Sequence, residues 1–214
     1  MNNFQGKRVL ITGHTGFKGF WLSMILKSLG ADVTGVSLKT DKDVKSHFGT
    51  LNGPSFIKTH NFDIRNLSLL KELIEKIKPN YIFHLAAQAL VSESFRDPLN
   101  TFTTNTIGTI NLLESLRQIN IECNAIMITS DKVYENVEWV YGYRENDNLG
   151  GSDPYSASKA CAELSIQTYF KSFLDNSNIN LCIARAGNVI GGGDWSQNRL
   201  VPDCIRSWTK NEVV

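Results

Sequence analysis

The sequence predicts an α/β fold, a doubly wound parallel sheet covered by helices on both faces. Three observations predict it. Short apolar runs alternate with segments of helical periodicity along the whole chain. Several of these runs are apolar on both faces, as strands buried from both sides must be. A glycine-rich turn follows the first of them directly.

The first run, Arg8 to Thr12 (RVLIT), is short, rich in β-branched residues and ends at glycine, so it reads as a buried strand. Apolar residues at 17, 20, 21, 22, 25, 26 and 29 have helical spacing, and Gly30 stands where a C-terminal cap belongs. Ala31 to Val36 reads as a second strand, polar residues 39 to 55 as a loop, and Phe56 to Phe62 as a third strand. Asn66 or Ser68 can cap a helix running through Leu69, Leu70, Leu73, Ile74 and Ile77 to Pro79. Tyr81 to Ala86 is a fourth strand, Pro98 to Ile119 a long helix and Ala125 to Ser130 a fifth strand. Pro154 to Leu174 is another long helix and Asn180 to Ala186 a sixth strand. Pro202 to Lys210 reads as a short helix, and Asn211 to Val214 as a turn entering a further strand. A domain seldom stops on the first residues of a strand, so the sequence reads as cut short. Residues 1–186 are expected to form the sheet domain and 187–214 the beginning of a small C-terminal substrate domain.

The composition narrows the function. Among 214 residues, 22 Lys and Arg face 21 Asp and Glu, a balance with no overall pull toward nucleic acid or acidic lipid. No apolar run approaches the roughly 20 residues that span a bilayer, and the N-terminus lacks the apolar stretch of an export signal. The expected location is the cytoplasm. The four cysteines form no Cys-x-x-Cys pair, so no metal site is expected. Cys123 and Cys182 fall in strand-like runs and read as small buried hydrophobes.

Gly13-His14-Thr15-Gly16-Phe17-Lys18-Gly19 links the first strand to the first helix. There the chain must turn sharply, admit a pyrophosphate to the backbone and let the helix lie close to the sheet, and glycine serves all three. The free amides of the helix N-terminus then receive the phosphates. Further on, Tyr155 and Lys159 stand four apart on a predicted helix and so share one face. A tyrosine hydroxyl titrates near 10, too high for a base at neutral pH. A neighbouring cation stabilises the phenolate and lowers that value. Ser130, Asp131 and Lys132 follow the fifth strand, where an open parallel sheet presents its ligands.

The Gly-x-x-Gly-x-x-Gly spacing at the N-terminus, joined to Ser130 and Tyr155-x-x-x-Lys159, resembles the short-chain dehydrogenase/reductase superfamily with its Rossmann fold, in particular the extended sugar-nucleotide branch. The resemblance implies a cofactor held by Gly13, Gly16, Phe17 and Gly19, with Asp63 and Ile64 at the adenine. Leu85, Ala86 and Ala87 of His84-Leu85-Ala86-Ala87-Gln88 would let it lie against the backbone, and Thr104, Tyr155 and Lys159 would complete the contacts. Asn105 matches a helix asparagine that supports the active site, whereas His84 reads as a packed core histidine.

Within that branch, dehydratases acting on dTDP-glucose or GDP-mannose carry Thr-Asp-Glu where this chain has Ser130-Asp131-Lys132. Ser-Asp-Lys resembles the CDP-glucose 4,6-dehydratases, as do His14 to Gly19 followed by Trp21, and Gly191-Gly192-Gly193-Asp194-Trp195 leading to Arg199-Leu200-Val201. The resemblance implies CDP-glucose as substrate, met by Asn188, Arg199, Leu200 and Val201. Tyr155 with Lys159 would take the C4 hydroxyl proton while hydride passes to NAD, and Ser130 would share the C4 oxygen. Asp131 would act as the acid at the C6 hydroxyl, and a neutral Lys132 would act as the base at C5. The hydride returns to C6, so the enzyme is a lyase that keeps its NAD. The second strand ends in Val36-Ser37-Leu38-Lys39 without an acid for the adenosine ribose, and Lys39 tolerates a 2′-phosphate, but the redox-neutral cycle favours NAD. A homodimer through the two long helices is expected. An inactive NAD-binding piece of such an enzyme is the alternative reading; a sugar-nucleotide 4-epimerase would need a different residue type at 131 or 132.

Overall fold

A computed structural model describes residues 3–39, 55 and 57–214. The first strand, β1 (Arg8–Thr12), is buried on both faces. Leu10 packs into a cluster with Leu70, Leu112, Leu113 and Ile166, while Val9 and Ile11 pack with Phe20, Leu26 and Val33 on the other side. A strand with helices on both faces needs an apolar residue at every position, which is why the run does not alternate.

The other strands are β2 (Asp32–Ser37), β3 (Lys58–Asn61), β4 (Tyr81–His84), β5 (Cys123–Ile128) and β6 (Ile179–Ala184), and all six form one sheet in the order β3–β2–β1–β4–β5–β6. Every neighbouring pair is parallel. The order reverses between β1 and β4, and this switch point opens the crevice in which such sheets bind ligands. The predicted strands all fall within two residues of the observed ones; at the third, Phe56 and most of the expected 39–55 loop lie outside the described residues.

Helix α1 (Phe17–Ser28) covers one face, and α2 (Leu67–Ile77) lies on the other. Gly30, at φ +80°, ends α1 in a left-handed turn in which Ala31 N–H reaches back to the Leu26 carbonyl at 3.0 Å. Asn66, not Ser68, caps α2, accepting from Leu69 N–H at 3.1 Å. A short helix, α3 (Val91–Arg96), was not evident in the sequence.

The long helix predicted from Pro98 is continuous but not uniform: α4 (Pro98–Phe102) passes through a π-helical turn at Thr103–Ile107 into α5 (Gly108–Gln118). Such turns mark functional places in helices, and Asn105 sits in this one. Helix α6 (Pro154–Tyr169) likewise runs into a π-helical turn at Phe170–Leu174. The last helix is α7 (Leu200–Trp208), two residues earlier than expected.

Two expectations are corrected. Residues 212–214 belong to no strand. Cys123 is buried, but Cys182 is exposed. Strand β6 is the sheet edge, where Leu181 and Ile183 pack into the core and Cys182 points to the opposite face. That face of β5 and β6 is only partly covered. No helix among the described residues is long and apolar enough to cross a membrane, and none of their His, Cys, Asp and Glu side chains form a group of three that could hold a metal ion.

Candidate active site

At the C-terminal ends of β1 and β4 the chain bends away on both sides of the switch point. Gly13 has φ +76°, and a Cβ there would lie 2.8 Å from Ala86 N. The two segments therefore touch backbone to backbone, and glycine is needed for both the angle and the approach. Thr12 joins them through its carbonyl to Leu85 N–H at 3.1 Å and its hydroxyl to Ala86 N–H at 3.2 Å.

Above them lies a cleft of about 430 Å³. Gly13, Gly16, Phe17, Gly19, Asp63, Ile64, Leu85, Ala86, Ala87 and Thr104 all line it. So do Lys18, Ser37 and Arg199. No side chain caps α1, and its first turn holds no acid. The Ser37 hydroxyl at the end of β2 is buried without a partner among the described residues, as is Arg199 Nε. A glycine cradle, an uncapped helix start and a buried hydroxyl with unused hydrogen-bonding capacity fit a dinucleotide's pyrophosphate and ribose. Asp63 is tied to Arg65, whose guanidinium donates at 2.9 and 2.5 Å and holds its carboxyl below the usual range. Burial, reinforced by Arg199, lowers the Lys18 ammonium.

The segment after β6 folds back over this cleft. Trp21 of α1 donates to the Gly192 carbonyl at 2.9 Å. The ring of Phe17 fills the space a Gly191 side chain would occupy, 3.1 Å from the Cβ position. Asp194, Ser196 and Arg199 thereby reach the cleft lining.

Tyr155 and Lys159 sit on the first turns of α6. The Lys159 side chain is buried, and its Nζ donates to the Ile128 carbonyl at 3.1 Å. Burial and the charge of Lys18 pull it down to about 8, against the opposing field of Glu163. Burial raises the Tyr155 hydroxyl above its ordinary value, while the Ser130 hydroxyl and Arg199 pull it back. Arg199 is thus one cation acting on Tyr155, while the Lys159 head is turned toward the end of β5. Ser130 Oγ donates to Asp131 Oδ1 at 3.1 Å and accepts from Lys132 N–H at 3.2 Å, starting a short 3₁₀ turn.

Asp131 and Lys132 are exposed and line a second hollow, of about 1050 Å³, with Tyr134 and Asp153. Arg199, which lines the first space, and Asp131, which lines the second, both act on Tyr155.

Behind this sits a polar support. Asn105 Nδ2 donates to the Gln88 carbonyl at 3.0 Å and Ser158 Oγ at 2.9 Å, and its Oδ1 accepts from Gln88 N–H at 2.8 Å. It joins the end of β4 to α6. His84 bridges Thr12 and Thr109 at 2.8 and 3.0 Å, and burial lowers it to about 3. It is a neutral packed histidine, as the sequence suggests.

Asn188, Leu200 and Val201 do not line the cleft; Asn188 and Leu200 are exposed. Sequence reasoning missed Ser37, although its place at a strand end beside the switch point was a signal. It also missed Glu163, which repeats the four-residue spacing of Tyr155 and Lys159.

The sequence model described as GDP-mannose 4,6 dehydratase matches residues 10–208. The chain is similar to the CDP-glucose 4,6-dehydratase of Salmonella typhimurium, 47% identical over 100% of this chain and 60% of the relative. Among solved structures, the Thermus thermophilus UDP-glucose 4-epimerase in complex with NAD has a TM-score of 0.76 at 29% identity, over 89% of this chain and 58% of that one. The Thermotoga maritima UDP-glucose 4-epimerase with UDP-glucose shares the fold, with a TM-score of 0.83 at 24% identity over 97% of this chain and 64% of that one. The chain thus spans less than two thirds of the length of each of these relatives.

Proposed function

The chain belongs to the GDP-mannose 4,6-dehydratase family, and we propose that it serves a CDP-glucose 4,6-dehydratase, a lyase that forms a 4-keto-6-deoxy sugar and water from CDP-glucose with NAD as cofactor. The observation that carries this reading is the Ser130-Asp131-Lys132 turn set against Tyr155, in a chain 47% identical to a CDP-glucose 4,6-dehydratase.

When bound, NAD supplies the acceptor for hydride from C4 and its return to C6. The protein's own residues do the rest. Tyr155 takes the C4 hydroxyl proton, and Ser130 positions that oxygen. Lys159 holds the nicotinamide ribose, and the Gly13–Gly19 turn holds the pyrophosphate on the α1 amides. Asp131 gives a proton to the departing C6 hydroxyl. Lys132, in its neutral amine form, removes the C5 proton, which the neighbouring ketone acidifies. Ser37 stands where the adenosine ribose is expected and offers a hydroxyl in place of the usual acid.

Residues 187–214 begin the sugar-nucleotide region, from which Arg199 lines the cleft and acts on Tyr155. Asn188 meets the sugar diphosphate, and Arg199, Leu200 and Val201 meet the nucleotide of the substrate. The protein pairs as a homodimer through α4–α5 and α6, where Leu99, Ile107, Leu164 and Phe173 are exposed.

Incubation with CDP-glucose and NAD, followed by detection of the 4-keto-6-deoxy product, tests the reading. Product from CDP-glucose and none from dTDP-glucose supports it. Binding of NAD without product would reduce the protein to a cofactor-binding unit, and C4 inversion of the sugar would make it an epimerase.

A further inference from the structure

The carboxylate of Glu163 is fully buried and has no part in the chemistry above. It stands one turn beyond Lys159 and two beyond Tyr155, so the three share a ridge of α6. Each meets the end of β5 or the turn just after it: Tyr155 meets Ser130, Lys159 the Ile128 carbonyl, and Glu163 Oε2 the Thr129 hydroxyl at 3.0 Å. The carboxylate also accepts from Arg185 Nε at 2.9 and 3.1 Å, and from its terminal nitrogen. Arg185 in turn lies 4.5 Å above the Tyr134 ring and donates to the Glu145 carbonyl at 3.1 Å. One carboxylate therefore gathers β5, the end of β6 and the loop that carries the Ser-Asp-Lys turn.

We propose that Glu163 is a positioning residue of the proton-transfer site, which fixes the 129–134 turn through Thr129 and Arg185 and sets a buried negative charge one helical turn from Lys159. Burying an ammonium without an opposing charge drives it toward the neutral amine. The groups acting on Lys159 from the packed elements are otherwise unhelpful: Lys18 from α1 repels it, and His84 from β4 is neutral and buried. Arg185, from the end of β6, partly cancels the Glu163 charge. Glu163 is the group that opposes the loss of the proton. The role in catalysis rests on the reading of Tyr155 and Lys159 given above, but the charge coupling does not.

The experiment tracks the ε-carbon NMR signals of ¹³C-lysine-labelled protein against pH, with Lys159 assigned by its absence in Lys159→Met. Glu163→Gln keeps the size and the capacity to bond Thr129 but removes the charge, so the Lys159 midpoint falls by about one pH unit or more. Arg185→Gln leaves the carboxylate facing Lys159 unneutralised, so the midpoint rises. Loosened packing alone would move both variants in the same direction. A folded Glu163→Gln protein with an unchanged Lys159 midpoint overturns the proposal, as does a shared direction of shift. If Glu163→Gln does not fold, Arg185→Gln decides, and a midpoint that stays or falls there is the negative result. These outcomes need no cofactor or turnover, so failure of the dehydratase reading shows separately, as absence of NAD binding or product.

Discussion

Two helices begin at the C-terminal edge of the sheet, and they begin differently. Helix α1 starts at Gly16 with no side-chain cap. Helix α6 starts at Asp153, whose carboxylate accepts from Tyr155 N–H at 2.9 Å and Ser156 N–H at 3.0 Å. A helix start has backbone donors to satisfy in either case. At α1 they are left to face the cleft, the arrangement suited to a phosphate. At α6 the chain satisfies its own donors and so immobilises the turn that carries Tyr155. On the proposed function, binding and proton transfer ask opposite things of the same local structure, and the sequence marks the two starts with glycine and with Asp-Pro.

If that division is right, damage at each helix has a different signature. The largest effect belongs to α6. Tyr155→Phe removes the proton acceptor, and product formation falls by roughly 10²- to 10⁴-fold, the range for a lost acid–base group. NAD affinity and melting temperature stay near wild type. Equal losses in turnover and NAD binding would show that the two helix starts are not separable.

Acid breaks the α1 side first. His14, in the turn before α1, is buried and bonded to Thr59 Oγ1 at 3.1 Å, and Gly35 of β2 has no side chain because the His14 ring fills that space. Burial lowers His14 to about 4. Its folded value lies below the unfolded one, so the unfolded chain takes up the extra proton as pH falls. The stability involved is complete above about 6.5 and is lost as pH drops toward 4, at a slope of up to about 1.4 kcal/mol per pH unit. His84 adds to this in the same direction. Melting temperatures from pH 7.5 to 4.5 for wild type and His14→Gln measure the His14 share, and parallel curves would refute it.

Gly16→Val is milder. A Cβ at Gly16 lies 3.3 Å from the Gly13 carbonyl, a contact the turn can absorb. Because Gly16 lines the cleft, a branched side chain there competes for that space, and calorimetry is expected to show NAD binding weakened by roughly tenfold, about 1.4 kcal/mol, with the folded signal unchanged. Equal affinity would mean that the uncapped start of α1 is not the phosphate site.

The fold was legible because a buried parallel sheet leaves a blunt signal: apolar runs at β1, β4 and β5 and helical periodicity between them. Boundaries were less so, since apolar residues such as Leu85 and Ala86 continue past the end of β4 at His84. The π-helical turn at Thr103–Ile107 has no periodic signature over five residues, so it could only be seen in the structure. Of the site, residues that sit in spacing patterns were readable, from Gly13 to Gly19 and at Tyr155 and Lys159. Contacts between distant segments were not: that Arg199 lines the cleft and acts on Tyr155 depends on how the stretch after β6 folds back. The exposure of Cys182 has the same origin, because an apolar run does not say which strand is the edge.

The smallest effect tests the α6 start alone. Asp153→Ala leaves every group at Tyr155, Lys159 and Ser130 in place and removes the acceptor of two backbone donors. A lost N-cap costs about 1 kcal/mol, within a range of roughly 0.5–2. Pro154 occupies the next position and already fixes its own φ, so α6 still forms. What is lost is the rigidity of the first turn. The turnover number is expected to fall severalfold with NAD affinity unchanged, while Asp153→Asn, which keeps an acceptor oxygen at the cap, stays close to wild type in both. If Asp153→Ala lowers NAD affinity and leaves turnover intact, the two helix starts have been assigned the wrong way round. If both Asp153 variants behave alike, the carboxylate matters for its charge beside Tyr155 and not as a cap.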